Sequence, residues 1–472
     1  ENTALWISMT SLLVTVLVSL LGRGFLKLMP ILCGIAAGFA VSLTLGIGDW
    51  SSVAATPWLR VPSFTFPEFS WAPILFIMPI TLAPAIEHFG DIAGVVDNYP
   101  EFLFNKEFSD FNLINPATSA LAITVGSIAK NPRIAPNSSF GAQGDLVTSV
   151  AAEHQPSPFT RTGPGINGMV KPELVEYGGN LILSQEHGYV RENSGGKIPI
   201  LSSQYPDKLF SFDFGSSFSA PKVARSCALV SNSYPDKSAN FIKNLVLQSA
   251  NYPEPINKDF WQAKKKEDAE QKRLMTIGYG VPDHAKAISS FNNRVLFFEE
   301  GSIQVDQAKV FKVDLPESFF ATKGDRIFSI VLTYNPPVRR SRGDYYLGNS
   351  LEFKVFHTVS PEDVISKISV LDEDQSEASI ENKYQLDFEP KVTLRSKGCH
   401  QKAVKSFTNA HWTNNPFTSL SVALINKKRW VVDNFLQDYC ISLCLYHSEH
   451  ASLYSEIRTL NQITLRERAR VR

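Results

Sequence analysis

The chain has 472 residues, room for about three domains. Forty-six basic residues balance 46 acidic ones, so whole-chain charge argues neither for a nucleic-acid partner nor for an acidic substrate, and no nucleic acid is expected as a partner. Five cysteines (Cys33, Cys227, Cys399, Cys440, Cys444) are too few, and odd in number, for a secreted disulfide framework, so a reducing compartment fits better.

The averages conceal a split. Residues 1–48 carry one acid, Glu1, and two bases, Arg23 and Lys27. The first residue is Glu, which reads as a processed product or a fragment. "ALWISMTSLLVTVLVSLL" (4–21), "GFLKLMPILCGIAAGFAVSLTLGIG" (24–48) and "WAPILFIMPITLAPAIEHFGDIAG" (71–94) are three long apolar runs. Each is near the roughly twenty residues that a membrane span needs, and they are read as three transmembrane helices. Arg23 and Lys27 flank the first connection and place it on the cytoplasmic side, so residues after 94 are expected in the cytoplasm. Ionisable groups at membrane depth usually face a binding site or an ion path. Glu87 and Asp91, four apart, share one helical face, and Pro79 and Pro84 interrupt the same helix. A bland alternative is that the span ends near Glu87 and these are solvated end residues. "SMTSLLVTVLVSLLGRGFLKLMPILCGIAAGFA" and "PAIEHFGDI" resemble the middle of a nucleobase permease of the uracil/xanthine (nucleobase–cation symport) family. The resemblance implies that Glu87 hydrogen-bonds the base ring. Asp91 stands where uracil-type members can carry a histidine tied to proton coupling. That family has fourteen spans, and three are read here.

After residue 94 the pattern changes. "LINPATSALAITVGSI" (113–128) reads as a loop feeding a buried strand, and "SPFTRTGPGINGMVKPELVEYGGNL" (157–181) as a loop system punctuated by Gly and Pro. In "FSFDFGSSFSAPKVARSCALVSN" (210–232) a short strand ends at Gly215 and a helix begins at Ser216 or Ser217, with Pro221 expected in about its first turn. A serine there is either an N-cap or a nucleophile beside an electropositive helix end. "GSSFSAPKVA" resembles the nucleophile motif of the subtilisin-like serine peptidases, with Ser217 as nucleophile. "KPELVEYGGNL" and "NPATSALAITVG" resemble two further motifs of that family, over residues 95–245. The resemblance implies an Asp–His–Ser triad and an oxyanion asparagine. The Asp and His belong upstream of residue 95, where the apolar runs lie. His88, His154 and His187 are not credible substitutes, and Val95 stands in the asparagine position with Asn98 out of register. Ala93-Gly94 suits both families and reads as the junction of a chimera.

Residues 246–275 read as a charged connector, and 276–472 as an appended antiparallel β-sandwich. Cys440, Cys444, His447 and His450 have a spacing suggestive of zinc, but offsets of 0, 4, 7 and 10 repeat on one helical face. "FLQDYCISLCLYHSEHASLY" is therefore read as a packed helix, with no metal and no cofactor. The Arg-rich end reads as a solvated tail.

The expected fold class is mixed: a short all-α transmembrane segment (1–94), an incomplete α/β parallel-sheet domain of subtilase type (95–245), and a β-rich C-terminal domain. Three functions are carried forward. One is a serine endopeptidase acting on peptide or protein substrates, crippled by the missing Asp and His. A second is a nucleobase permease fragment in the lipid bilayer, and a third a membrane-anchored binding or structural module.

Overall fold

A computed structural model describes residues 2–21, 30–46, 112–130, 147–184, 188–189, 194–204, 207–254, 266–369, 384–407, 412 and 414–460. Two compact units are present, residues 1–82 and residues 83–472.

In the first unit, helices α1 (Asn2–Leu21) and α2 (Pro30–Thr44) pack together. Pro30 opens α2, where its missing N–H costs nothing. A Cβ on Gly34 would lie 1.9 Å from Thr15 Oγ1, and one on Gly38 would lie 3.1 Å from Ser11 Cβ, so the pair runs antiparallel at close approach. The polarity is inverted relative to a water-soluble helix pair. Ser11 and Thr15 meet the glycines, while Met9, Leu12, Leu13 and Ile35 are exposed. Among the described residues no helix is long and apolar enough to cross a membrane. The third apolar run, 71–94, lies outside the described residues, and so do Glu87 and Asp91.

The second unit begins with a parallel pair, β1 (Val125–Ile128) and β3 (Leu174–Tyr177), in the register Val125↔Leu174. The free edge of β1 is taken up locally: Ser127 N donates to Thr160 Oγ1 (2.9 Å) and Ser157 N to Ser127 O (2.9 Å). Among the described residues this parallel sheet is two strands wide. Strand β2 (Val147–Ser149) pairs antiparallel with β4 (Ile182–Ser184), which also pairs with β5 (Gly188–Tyr189). A hairpin of β6 (Ile198–Leu201) and β7 (Phe210–Asp213) leads into α3 (Ser216–Ser233). Helix α4 (Ala239–Ser249) follows, capped by Ser238, whose hydroxyl accepts from Phe241 N. Then come α5 (Lys266–Ile277) and the short α6 (His284–Ile288). The charged run behaves as a solvated helix only at its start. Leu274, Met275, Thr276 and Ile277 are buried, and Gly163 N donates to Met275 O.

The β-rich region is an antiparallel sandwich, as the short strands separated by turn signals suggested. One sheet has the order β12 (His400–Ser406), β10 (Arg326–Tyr334), β14 (Leu436–His447), β8 (Arg294–Gln304). The other has β11 (Asn349–His357), β13 (Ser419–Lys428), β9 (Gln307–Asp314). All these pairings are antiparallel. Phe328, Ile330 and Leu332 of β10 share one core with Leu351, Phe353 and Leu424 of the facing sheet.

One expectation is overturned. The segment holding Cys440 and Cys444 is the central strand β14, paired with β10 and β8 over its length, not a helix. Its Tyr439, Ile441, Leu443 and Leu445 enter the sandwich core, whereas Cys440 joins the cluster formed by α4. A strand buried on both faces loses apolar/polar alternation, and the residual spacing imitates a helical stripe.

Candidate active site

The backbone around Ser217 follows from Gly215 and Pro221. Gly215 takes φ 151°, ψ 154°, a conformation that only glycine adopts readily, and turns the chain from β7 into α3. Its N–H is anchored on Gly178 O (2.9 Å), and its carbonyl accepts from Phe218 N (3.1 Å). Pro221 lies in the second turn, later than expected, and cannot donate to the carbonyl of Ser217. The helix is held against the parallel pair by buried Val223 and Val230 and by the Ser219 hydroxyl, which donates to Glu176 O (2.9 Å).

Ser217 itself is exposed, and among the described residues its hydroxyl makes no hydrogen bond. As first-turn residues, Ser216 and Ser217 present N–H groups without helical acceptors, an arrangement favourable to a developing oxyanion. Among the described residues no histidine hydrogen-bonds Ser217. His154, held at φ 66°, directs Nδ1 to the Tyr177 hydroxyl (2.9 Å). His400, His447 and His450 bond to Glu173, Thr322 O and Ser318 respectively. His88 and His187 lie outside the described residues. Near the start of α3, burial pushes the Glu176 carboxyl up, and Lys222, 3.8 Å away, only partly offsets it. Lys222 also donates to Tyr177 O (2.6 Å), and burial lowers its own titration.

A second polar cluster escaped the sequence reading. Glu173 accepts from Lys171 Nζ (2.5 Å) and Thr124 N (2.8 Å), and His400 Nδ1 lies 2.8 Å from the same carboxylate. All three side chains are fully buried. Lys171 and Glu173 lie in the "KPE" motif, but His400 is 227 positions from Glu173, and nothing local announces the contact. A cavity of about 510 Å³ opens beside Tyr252, Glu270, Arg273, Asp387, Glu389 and Lys402, and no residue of α3 lines it. Among the described residues no group of three or more His, Cys, Asp or Glu side chains is placed to hold a metal. Cys440 and Cys444 are buried on β14, the backbone Cys440 O accepts from Asn244, and the His447 ring lies edge-on to Phe319.

Residues 1–109 match the permease family, and residues 109–280 match the subtilase family. The two matches meet at residue 109, downstream of Ala93-Gly94. A probable uracil permease of Haemophilus influenzae is 42% identical over 94 residues, 20% of this chain and 23% of its own. A uracil permease of Escherichia coli is 40% identical over 92 residues, 20% of this chain and 21% of its own. The chain thus spans less than a quarter of those permeases. An uncharacterised protein of Sinorhizobium fredii is 27% identical over 368 residues, 77% of this chain and 82% of its own. An alignment of that length necessarily extends past residue 280, so the subtilase segment and part of the sandwich recur together in another protein.

Proposed function

We propose, for a chain that joins a permease segment to a subtilase segment, that the part after residue 109 is a serine endopeptidase module with Ser217 as nucleophile and a peptide or protein as substrate. The observation that carries this reading is the placement of Ser217, exposed and unbonded at the N-terminus of an 18-residue helix entered through Gly215. In such a site the serine oxygen attacks the peptide carbonyl, helix N–H groups hold the oxyanion, and a histidine oriented by an aspartate takes the serine proton. No described histidine hydrogen-bonds Ser217, so turnover should be slow. Loss of the base alone lowers such hydrolysis by about 10⁶-fold.

Labelling with a fluorophosphonate tests both parts of the reading. Slow, substoichiometric labelling that disappears in Ser217→Ala is expected. Stoichiometric labelling lost in Ser217→Ala would overturn the claim of impairment, and labelling unaffected by Ser217→Ala would overturn the assignment of the nucleophile.

A second reading concerns the N-terminal segment, where identity to uracil permeases favours a nucleobase as ligand of Glu87 and Asp91. On this reading α1 and α2 sit in a bilayer, with residues after 94 on the cytoplasmic side. The outward leucines and inward hydroxyls and glycines of the pair support a lipid surround.

A further inference from the structure

At one end of the sandwich, the turn Arg340–Tyr345 and the residues just after β13 set two arginines against one tryptophan, with two more arginines adjacent to them in sequence. The Trp430 indole N–H donates to Tyr345 O (2.6 Å), which fixes the ring. The Arg339 and Arg342 guanidinium carbons lie 5.3 and 5.5 Å from its centroid. Arg340 is exposed beside them, and Arg429 precedes Trp430 in the chain. The neighbouring acids are largely engaged: Glu352 pairs with Lys427 (2.8 Å) and Asp433 with Lys428. Among the described residues none of the four arginines is in an ion pair, and Asp344 in the same turn leaves the patch net positive. Two apolar side chains flank the charges, Tyr345 at 62% and Val432 at 66% exposure.

We propose that this end of the sandwich docks on an anionic lipid surface, with Arg339, Arg340, Arg342 and Arg429 on the headgroups and Tyr345 and Val432 at the acyl boundary. Arginine suits this role because its planar fork engages phosphate and carboxylate bidentately. Exposed aromatic and aliphatic groups beside bases are the pattern of interfacial binding. Single-stranded nucleic acid fits less well, because it binds by stacking bases on open aromatic faces. Here Arg339 and Arg342 lie close over the Trp430 ring. An acidic peptide would leave Tyr345 and Val432 without a role.

The test is co-flotation of the full chain with vesicles of phosphatidylcholine alone or of equal parts phosphatidylcholine and phosphatidylserine. Association with phosphatidylcholine alone reports the apolar N-terminal segment, so the phosphatidylserine-dependent increment is the relevant quantity. That increment should fall about thirty-fold in the double variant Arg339→Gln, Arg342→Gln, and also fall at high salt, with phosphatidylcholine association unchanged. Equal association with both vesicles overturns the proposal, and so does an increment untouched by the double variant. Arginine-dependent binding of oligothymidylate or polyglutamate without a phosphatidylserine preference also overturns it, in favour of the other polyanion.

Discussion

Glu173 is a buried carboxylate bonded, among the described residues, by Lys171, His400 and the Thr124 backbone N–H. Burial, the largest influence, pushes its titration up, but Lys171 and His400 outweigh it and hold it below its ordinary value of 4.5. His400 is held below its ordinary 6.5, chiefly by burial, against the pull of Glu173. Both groups bind protons more readily in the unfolded chain, so the stability they contribute is lost on acidification. For His400 the loss begins as pH falls below 6.5 and continues through its folded value, and for Glu173 it begins below 4.5. Urea midpoints should therefore decline between about pH 7 and about pH 5. His400→Asn, which can still donate to Glu173, should flatten that decline. An unchanged slope would refute the assignment to His400. Glu173→Gln leaves Lys171 buried and uncompensated and should cost about 3–5 kcal/mol in urea unfolding.

The pairing of α4 with its sheet shows how one element is fixed by polar as well as apolar contacts. Asn240, Asn244 and Gln248 recur every four residues along one face of α4. Asn244 Nδ2 donates to Val331 O (3.0 Å) and Cys440 O (2.9 Å), and Gln248 Nε2 donates to Ser329 O (2.8 Å). Asn240 O accepts from Thr333 Oγ1 (2.8 Å). Lys402 Nζ, from β12, donates to the carbonyls of Leu247, Gln248 and Ala250 at the C-terminal end of α4. These contacts cover the outer face of β10 and β14 and bury Cys440 beneath α4, whereas Cys399 lies in the sandwich core. Burial pushes the Cys399 thiol up to about 12 and also raises Cys440 and Cys444. Cys399, Cys440 and Cys444 should thus stay unreactive to a thiol reagent in the native protein and react on denaturation. Reaction of Cys440 at the rate of an exposed thiol would contradict the two-sided burial of β14.

At the scale of the whole molecule, the subtilase segment and the sandwich share core residues. Val331 and Cys440 of the sandwich lie in one cluster with Val170, Leu174, Val223, Phe241 and Leu245. Ala120 and Met169 enter the sandwich core in return. Removing the sandwich uncovers the α4 face and leaves its amides without partners. A chain ended after residue 289 should thus show no cooperative urea transition, whereas the second unit of the full chain should unfold in a single one. A cooperative transition in the shortened chain would establish that the subtilase segment folds alone.

The glycine and serines of "GSSFSAP" announced the strand–turn–helix around Ser217, because a turn at positive φ and a helix start are set by adjacent residues. Short β-rich runs separated by turn signals likewise exposed most sandwich strands, and the two segments matched to different families were legible from their motifs. Three features required the tertiary structure. Strand β14 is apolar on both faces because α4 covers one side and β11, β13 and β9 the other, which erases its period. The last turn of α5 is buried because the loop at Gly163 and strand β3 pack on it, although its charged start suggests solvent. His400 meets Glu173, and Arg339 and Arg342 meet Trp430, across long stretches of chain. Local propensity and periodicity are encoded by neighbours in sequence. Burial on a second face and contacts between distant segments are decided only when the layers close.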